Sequence, residues 1–213
     1  MGVGFFGASG FSPSQWKRWV MENWFNLFPV LLILLAILGM LVLNDWRRNI
    51  IAFAVLYLGI FILLVQVLPL ILSSVLLITG WMSALLLGLN LPKEDLEREE
   101  GLLSKRLFRA FSTVLIWILA LVISKSISGV FQVSPEIAFS VIAIYGAGLL
   151  QLGMKSRPLF VLLGILTVFA GFELLYSSVE SSVLVNGLLS AINLLIAFIG
   201  SFFTGNQQRE DQS

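Results

Sequence analysis

The sequence predicts an all-α, polytopic membrane protein with about seven transmembrane helices and an interfacial amphipathic helix before them. The 213 residues are 58% hydrophobic and only 12% charged, and the mean hydropathy is +0.98. A soluble domain carries about a quarter charged residues, whereas residues 50–92 contain none. Such a stretch requires lipid around it, because a soluble core of this size could not bury it.

Seven segments reach the roughly 20 apolar residues that a helix needs to cross the bilayer. They are residues 27–43, 50–68, 70–90, 107–127, 137–154, 158–177 and 183–203. The remaining chain is too short for a separate soluble domain. The predicted organisation, in chain order, is an N-terminal segment (1–26), a first three-helix unit (27–90), a charged loop (91–106), a connecting helix (107–128), a second three-helix unit (129–205) and a polar tail (206–213).

The N-terminal segment contains a helix start followed by an aromatic stretch. Ser12 suits the N-cap position and Pro13 the first helical position. Trp16, Trp19 and Trp24 follow, interleaved with charged residues. This pattern predicts an amphipathic helix at the membrane interface, whose aromatic side chains either anchor it among the headgroups or contact a partner. A second Ser-Pro pair, at 134–135, predicts the start of the fifth span.

The basic residues predict the orientation of the helices. When the loops are assigned to alternate sides of the membrane, ten of the 13 Lys and Arg residues fall on one side. They are Arg47, Arg48, Lys93, Arg98, Lys105, Arg106, Arg109, Lys155, Arg157 and Arg209. The positive-inside rule makes that side cytoplasmic. We therefore expect an exterior N-terminus and a cytoplasmic C-terminus, in a cell (plasma or inner) membrane.

The charged loop at 91–106 contains five acidic and four basic residues. Mixed charges at helical spacing predict a short solvated helix. The loop is also a candidate docking site for a soluble partner.

The composition excludes several kinds of chemistry. The chain has no cysteine and no histidine, so disulfides, thiolate chemistry and histidine-ligated metals or haem are excluded. The seventh span has no lysine that could form a Schiff base with retinal. The net charge of +1 does not favour a nucleic-acid partner. We expect no cofactor, no metal site and no catalytic residue, and at most a non-catalytic role in a redox-driven or antiporter complex.

Glu173 is the acidic residue that lies inside an apolar segment of spanning length, residues 158–177. An ionised carboxylate near the middle of a bilayer costs roughly 2.5 kcal/mol or more, so such acids usually face protein or water and often serve ion or proton pathways. At 1.5 Å per residue, Glu173 lies about 7–8 Å from the centre of its span, toward the predicted exterior. The position of Glu173 points to the class of ion- or proton-pathway proteins, but it does not identify a function by itself.

Neighbouring polar residues extend from Glu173 toward the exterior end of the sixth span. Tyr176, Ser177 and Glu180 follow it at spacings of three, four and seven residues, which places them on the same helix face. Together with Asn186 and Asn193 of the seventh span, they are the candidates for a proton path. Alternatively, Glu173 is a structural acid that is protonated or hydrogen-bonded to a neighbouring helix.

The seventh span carries a stripe of small and polar residues. Asn186, Ser190 and Asn193 recur at spacings of four and three. Small residues let helices approach closely, and Asn side chains hydrogen-bond across the contact. We therefore predict tight packing of the sixth span against the seventh, through Gly164, Gly171, Gly187, Ser190 and Ala191.

Two stretches resemble a known group of small membrane proteins: Gly171–Tyr176, of sequence Gly-Phe-Glu-Leu-Leu-Tyr, and Ala191–Ile196, of sequence Ala-Ile-Asn-Leu-Leu-Ile. The group comprises chain K (4L) of complex I, component C of the cation/proton antiporters that are built from several subunits, and component E of hydrogenase-4-type complexes. The resemblance covers spans five to seven. It implies a three-helix unit in which the glutamate of the middle helix belongs to a proton-conducting axis, and Glu173 is the matching position. Chain K also has a glutamate in its third helix, where this sequence offers Asn186 and Asn193.

Two functional hypotheses result. In the first, the chain is an integral-membrane accessory subunit of a complex I-like or antiporter-like complex that translocates protons or cations. Its partners are then other membrane subunits and the lipid bilayer. The alternative is a structural or assembly subunit of another membrane complex, with no transport role of its own. A stand-alone transporter is less favoured, since such proteins usually contain broken helices around several polar groups.

Overall fold

The computed structural model describes residues 13–43, 45–89, 103–155 and 157–210, with side chains described within 27–43, 45–89, 107–155 and 157–203. The predicted N-cap Ser12, residues 90–102 of the charged loop region and the last three residues of the tail lie outside the described residues. So do the side chains of the interfacial tryptophans.

The described residues form seven α-helices. They are α1 (Pro13–Val42), α2 (Trp46–Leu64), α3 (Leu70–Leu89), α4 (Leu103–Phe131), α5 (Pro135–Met154), α6 (Pro158–Val179) and α7 (Val183–Glu210). Among the described residues, six helices are long and apolar enough to cross a membrane, and α1 adds a shorter apolar stretch, Leu27–Val42. The predicted fold class, a polytopic helical membrane protein, is confirmed.

Helix ends follow from local sequence. At α5, Ser134 caps the first turn by accepting a hydrogen bond from the backbone N–H of Ile137 at 3.4 Å, and Pro135 follows it, as predicted. Helix α2 begins at Trp46 and ends at Leu64, four residues earlier at each end than expected. It ends early because residues 65–68 form a mainly apolar turn ahead of Pro69. Hydropathy alone does not distinguish an apolar turn from an apolar helix.

Helix α1 joins two elements that the sequence predicted separately. It runs without a break from the interfacial segment into the first span and includes Pro29. Its 30 residues extend about 45 Å, which exceeds the roughly 30 Å of bilayer hydrocarbon. Part of α1 therefore extends beyond the hydrocarbon.

The helices pack as two rows of three. Helices α1, α2 and α3 form one row and α5, α6 and α7 the other, and α1 contacts α5, α2 contacts α6 and α3 contacts α7. Helix α4 packs beside α5 and α1 and is the least buried of the six long apolar helices, whereas α6 is the most buried. The centre of the molecule is therefore the contact between α2 and α6.

The glycines of the sixth span pack against α5, which corrects the predicted contact. A Cβ atom on Gly164 would lie 2.9 Å from Leu152, and one on Gly171 would lie 3.3 Å from Ile144, both in α5. Small residues allow this close approach, and Gln151 reinforces it by donating a hydrogen bond to the carbonyl of Phe160 at 3.0 Å. The closest glycine contact between α6 and α7 instead involves Gly200 and Leu162.

Two further packing predictions in the seventh span are wrong. Gly187 is exposed, and a Cβ atom there would meet no described atom within 4 Å. Ala191 is exposed as well. Both residues flank the stripe instead of belonging to it. The stripe itself faces the bundle, since Asn186, Ser190 and Asn193 are buried.

Candidate functional site

The candidate site is a buried polar cluster formed by three helices. Glu173 of α6 is fully buried, with 0% of its surface exposed. The hydroxyl of Tyr57 on α2 donates a hydrogen bond to Glu173 Oε2 at 2.9 Å. Asn193 of α7 donates from Nδ2 to the same hydroxyl at 2.7 Å. Tyr57 therefore bridges the carboxyl group and the amide, and one chain of hydrogen bonds links α2, α6 and α7.

The position of Tyr57 is fixed by its packing. Its ring meets the ring of Phe53 edge to face, with centroids 5.1 Å apart, a preferred geometry for aromatic pairs. Gly80 of α3 also lies against the ring, and an added Cβ atom there would overlap it. Helices α2 and α3 thus hold the hydroxyl in place.

A second hydrogen bond lies one turn from Glu173. Ser177 of α6 donates to Oδ1 of Asn186 on α7 at 2.8 Å, and both side chains are buried. Because Ser177 follows Glu173 by four residues, the two side chains lie on the same face of α6. The cluster therefore extends from Glu173 toward the link between α6 and α7.

Several polar atoms of the cluster have no hydrogen-bond partner among the described residues. They are Glu173 Oε1, Asn193 Oδ1, Ser190 Oγ and Asn186 Nδ2. Buried polar groups are normally hydrogen-bonded to protein or to ordered water. An incomplete cluster of this kind therefore has the capacity to bind further polar groups, such as water.

No basic side chain among the described residues pairs with the carboxyl group of Glu173. Within the described part of the chain, Arg48 forms an ion pair with the partly exposed Asp45 at 3.2 Å, whereas Glu173 forms none. The hydrogen-bonding groups around Glu173 are neutral. The described residues also include no group of three or more Asp, Glu, His or Cys side chains that could hold a metal ion.

The structure brings together only part of the predicted path. Ser177, Asn186 and Asn193 lie in the cluster with Glu173. Tyr176 does not, because a spacing of three residues rotates it about 60° away from Glu173. Its half-buried ring instead faces the exposed Phe172, at a centroid distance of 6.1 Å.

Glu180 also lies outside the cluster, for a different reason. A spacing of seven residues keeps it close to the direction of Glu173 around the helix. However, it is the residue that caps the C-terminal end of α6, and it is exposed there. Spacing predicts the face of a helix on which a residue lies but not where the buried part of that face ends.

Tyr57 was missed by reasoning from the sequence. Acidic residues guided the prediction of polar partners, and the second span has none. A signal was nonetheless present, since Tyr57 is the hydrogen-bonding side chain in the otherwise apolar stretch from residue 50 to 64. Buried tyrosine hydroxyls usually have a hydrogen-bond partner, so Tyr57 could have been identified as a partner of a buried polar group.

A separate polar cluster lies at the opposite end of α6. Lys155, directly after α5, is buried, and its Nζ atom donates to the carbonyls of Met40 at 2.7 Å and Leu43 at 3.1 Å. It also donates to Asn49 Oδ1 at 3.4 Å and lies 4.4 Å from the centroid of the Phe160 ring. Burial, and to a lesser degree repulsion from Arg109, lower the pKa of Lys155 to about 7.

Comparison with other proteins does not assign the chain to a family. It matches no protein-family model, and neither the curated proteins nor the solved structures contain a match. The fold defines a multi-pass helical membrane protein with a buried polar cluster around one carboxyl group. Any narrower function rests on the geometry of that cluster.

Proposed function

We propose that this chain is an integral-membrane subunit of a larger assembly that translocates protons or cations, and that Glu173 forms part of a polar path. The observation that carries the proposal is the fully buried carboxyl group, held by neutral side chains and without an ion pair among the described residues. A group of this kind is costly in a membrane helix and commonly marks an ion or proton pathway.

The cluster provides one half of such a path. Asn193, Ser190 and Asn186 follow one another along α7 at helical spacing, so the row is about 10 Å long. Atoms of these three residues and of Glu173 lack described partners, and ordered water typically bridges buried polar groups of this kind. A row of waters here would connect Glu173 with the end of the bundle where α6 is linked to α7, the side predicted to be exterior.

On the other side of Glu173, the described part of α6 offers no comparable row of polar side chains. On the opposite side of Glu173, the buried face of α6 consists of apolar residues and Thr167, whose hydroxyl donates to the carbonyl of Leu163 at 2.6 Å. A proton that crosses the whole membrane would therefore need further groups beyond α6, and a neighbouring subunit could supply them. This favours a subunit of a complex over a stand-alone transporter.

Other features support membership of a complex in a cell membrane. Apolar side chains cover the outer faces of α4 and α7, which suits contact with lipid or with neighbouring subunits. In the stretch that resembles chain K and its relatives, Gly171 lies against α5, while Glu173 accepts from Tyr57 of α2, which in turn accepts from Asn193 of α7. With the basic residues on the cytoplasmic side, the N-terminus is exterior and the C-terminus cytoplasmic.

The alternative, a structural or assembly subunit, is favoured by one observation. The two hydrogen bonds of Tyr57 tie α2, α6 and α7 together, and interhelical hydrogen bonds stabilise membrane bundles. In that case Glu173 would contribute to stability alone, with its carboxyl group permanently protonated.

Mild solubilisation and Glu173→Gln distinguish the two hypotheses. Stoichiometric partner subunits are expected to co-purify, and a stable monomer without partners would contradict membership of a complex.

Glutamine retains an oxygen that accepts from Tyr57 but cannot exchange a proton. We therefore expect Glu173→Gln to assemble normally and to abolish coupled translocation, measured with a pH-sensitive dye in reconstituted vesicles.

The matched control is Glu180→Gln, which removes an exposed acid at the end of the same helix and is expected to retain translocation. Full translocation by the assembled Glu173→Gln complex would refute the path. Loss of translocation only in proportion to lost assembly would support the structural alternative.

A further inference from the structure

A groove lies on the outer face of the contact between α1 and α2. Its volume is about 290 Å³, and it is lined by six apolar residues and one arginine: Leu35, Ala36, Leu43, Ile51, Ala52, Val55 and Arg48. Leu35 and Ile51 are 65% and 62% exposed, so the groove opens away from the core of the bundle. In a membrane, that side faces lipid or a neighbouring protein.

Small residues form the floor of the groove. Ala36 and Ala52 are buried, and a Cβ atom on Gly39 would lie 3.5 Å from the Cβ atom of Ala52. The two helices therefore approach closely here, while the larger side chains of Leu35 and Ile51 form the walls. A recess of this size suits a slender chain better than a helix, whose diameter with side chains is about 10–12 Å.

The groove has an apolar part and a charged end. Arg48, Ile51, Ala52 and Val55 share one face of α2, and the row is about 10 Å long. Arg48 lies in the first turn of α2, so the guanidinium is at the end of the groove nearest the link between α1 and α2. This is the basic end of the bundle, which is predicted to be cytoplasmic and which also carries Arg47, Lys155 and Arg157.

The charged end of the groove carries a net positive charge. Asp45, Arg47 and Arg48 are close in sequence, and two arginines with one aspartate give a net charge of +1. The ion pair with Asp45 engages Nε of Arg48 at 3.2 Å, so the two terminal amino groups of the guanidinium take no part in it. The guanidinium of Arg47 lies over the ring of Trp46, 5.0 Å from its centroid. Tryptophan is enriched at the headgroup level of membranes, so this end of the groove suits a headgroup.

We propose that the groove binds one anionic phospholipid: an acyl chain lies along the apolar recess, and the phosphate meets the guanidinium of Arg48. Arginine binds phosphate through the paired N–H donors of its planar fork. A net charge of +1 favours an anionic headgroup over a zwitterionic one. A helix of a partner subunit would complement the apolar walls but not the charge. The lipid site requires no transport role of Glu173.

Lipid titration followed by native mass spectrometry tests the proposal. The purified protein, with any co-purifying subunits, is titrated in detergent with phosphatidylglycerol and separately with phosphatidylcholine, which is zwitterionic. We expect one phosphatidylglycerol to be retained more tightly than phosphatidylcholine. Equal retention of the two lipids would contradict the charge preference. Glycerol phosphate, which lacks acyl chains, should not displace the lipid, and displacement at equal concentration would overturn the role of the apolar recess.

A pair of arginine variants tests the headgroup contact. Arg48→Gln removes the charge that lines the groove and should weaken retention of phosphatidylglycerol at least about tenfold, as expected for the loss of a charge-assisted hydrogen bond. Arg47→Gln makes the same change of charge one residue away, outside the lining of the groove, and should weaken retention less. Equal losses would indicate diffuse attraction to the surface, and wild-type retention by Arg48→Gln would exclude the guanidinium. Either result overturns the site.

A pair of tryptophan variants tests the apolar recess. Leu35→Trp enlarges a wall of the groove and takes up its space, whereas Leu31→Trp adds the same ring one turn earlier, at an exposed residue that does not line the groove. We expect only Leu35→Trp to weaken lipid retention. Loss of a co-purifying protein from Leu35→Trp, with lipid retention unchanged, would show a subunit contact and overturn the proposal. Thermal unfolding without added lipid checks that both variants fold, and the arginine pair decides if Leu35→Trp does not.

Discussion

The two buried polar clusters differ in how completely their hydrogen bonds are made. At the basic end, Lys155 and Asn49 bond mainly to backbone carbonyls of the α1–α2 link, and the described amine and amide groups all have partners. Around Glu173, the contacts are between side chains, and several polar atoms have none among the described residues. The hydrogen bonds of the Lys155 cluster therefore define one arrangement, whereas those of the Glu173 cluster can rearrange.

The Glu173 cluster has two complementary hydrogen-bonding states. The donor directions in the structure, from Asn193 to Tyr57 and from Tyr57 to Glu173, suit an ionised carboxylate. With a protonated carboxyl group, Glu173 donates to Tyr57 and the hydroxyl donates to the amide oxygen of Asn193 after rotation of the amide. Tyr57 can therefore serve both protonation states of Glu173 without moving its ring.

The largest expected effect is a pH dependence of the free energy of unfolding that comes from the Lys155 cluster. The native state loses the Lys155 proton near pH 7, while the unfolded chain retains it until about pH 10.5. Between these values the unfolded state binds more protons, so the free energy of unfolding rises with pH. We expect a rise on the order of a few kcal/mol in wild type, measured by chemical unfolding in mixed micelles, and no such rise for Lys155→Met. An equally steep profile for Lys155→Met would place the titration elsewhere.

Gly80→Ala is expected to disturb the Glu173 cluster without altering a polar group. The added methyl group would overlap the ring of Tyr57, and overpacking of this kind costs about 1–3 kcal/mol of unfolding free energy. The control is Gly187→Ala, where the space is open, and no destabilisation is expected there. Equal stability of the two variants in the same unfolding assay would contradict the close packing of α3 on Tyr57.

Tyr57→Phe removes the bridging hydroxyl and keeps the ring. Two interhelical hydrogen bonds are lost, at an average of about 0.6 kcal/mol each in membrane proteins, so we expect a destabilisation of about 1–2 kcal/mol. Under the proposed function, proton translocation should also slow. Tyr176→Phe, whose ring lies outside the cluster, is the matched control. A translocation rate equal to that of wild type would show that the hydroxyl has no part in proton transfer.

Ser177→Ala has the smallest expected effect, about 0.6 kcal/mol, because one interhelical hydrogen bond to Asn186 is lost. Its neighbour Ser178 bonds to the carbonyl of Leu175 in its own helix at 2.7 Å, so Ser178→Ala should be close to neutral. Thermal unfolding of the pair in one detergent provides the comparison. A larger loss for Ser178→Ala would contradict the assignment of the cluster to the Ser177 side of α6.

The sequence predicted the fold more completely than the site. Apolar length predicted the seven helices, and the Ser134-Pro135 pair predicted the start of α5, because both are local properties. The partner of Gly164 and Gly171 was assigned incorrectly, since a small residue permits close packing without specifying which helix approaches. Here the approaching helix is α5.

The sequence also identified the central acid but only part of its surroundings. Glu173, Ser177, Asn186 and Asn193 were found because polar residues are rare in these spans. Tyr57 and Lys155 are separated from their partners by more than 100 residues, so no local spacing connects them. Their roles depend on the contacts between the two helix rows, which only the structure provides.

Difference infrared spectroscopy tests the central claim most directly, namely that Glu173 exchanges its proton with the end of the bundle near Asn186. The carbonyl stretch of a protonated carboxyl group shifts in deuterated water only when its proton exchanges. We predict a band from a buried carboxyl group that titrates with pH, shifts promptly in deuterated water, changes frequency in Tyr57→Phe and is absent in Glu173→Gln. A Glu173 band that neither titrates nor exchanges would show a permanently protonated structural acid and would contradict the proposed path.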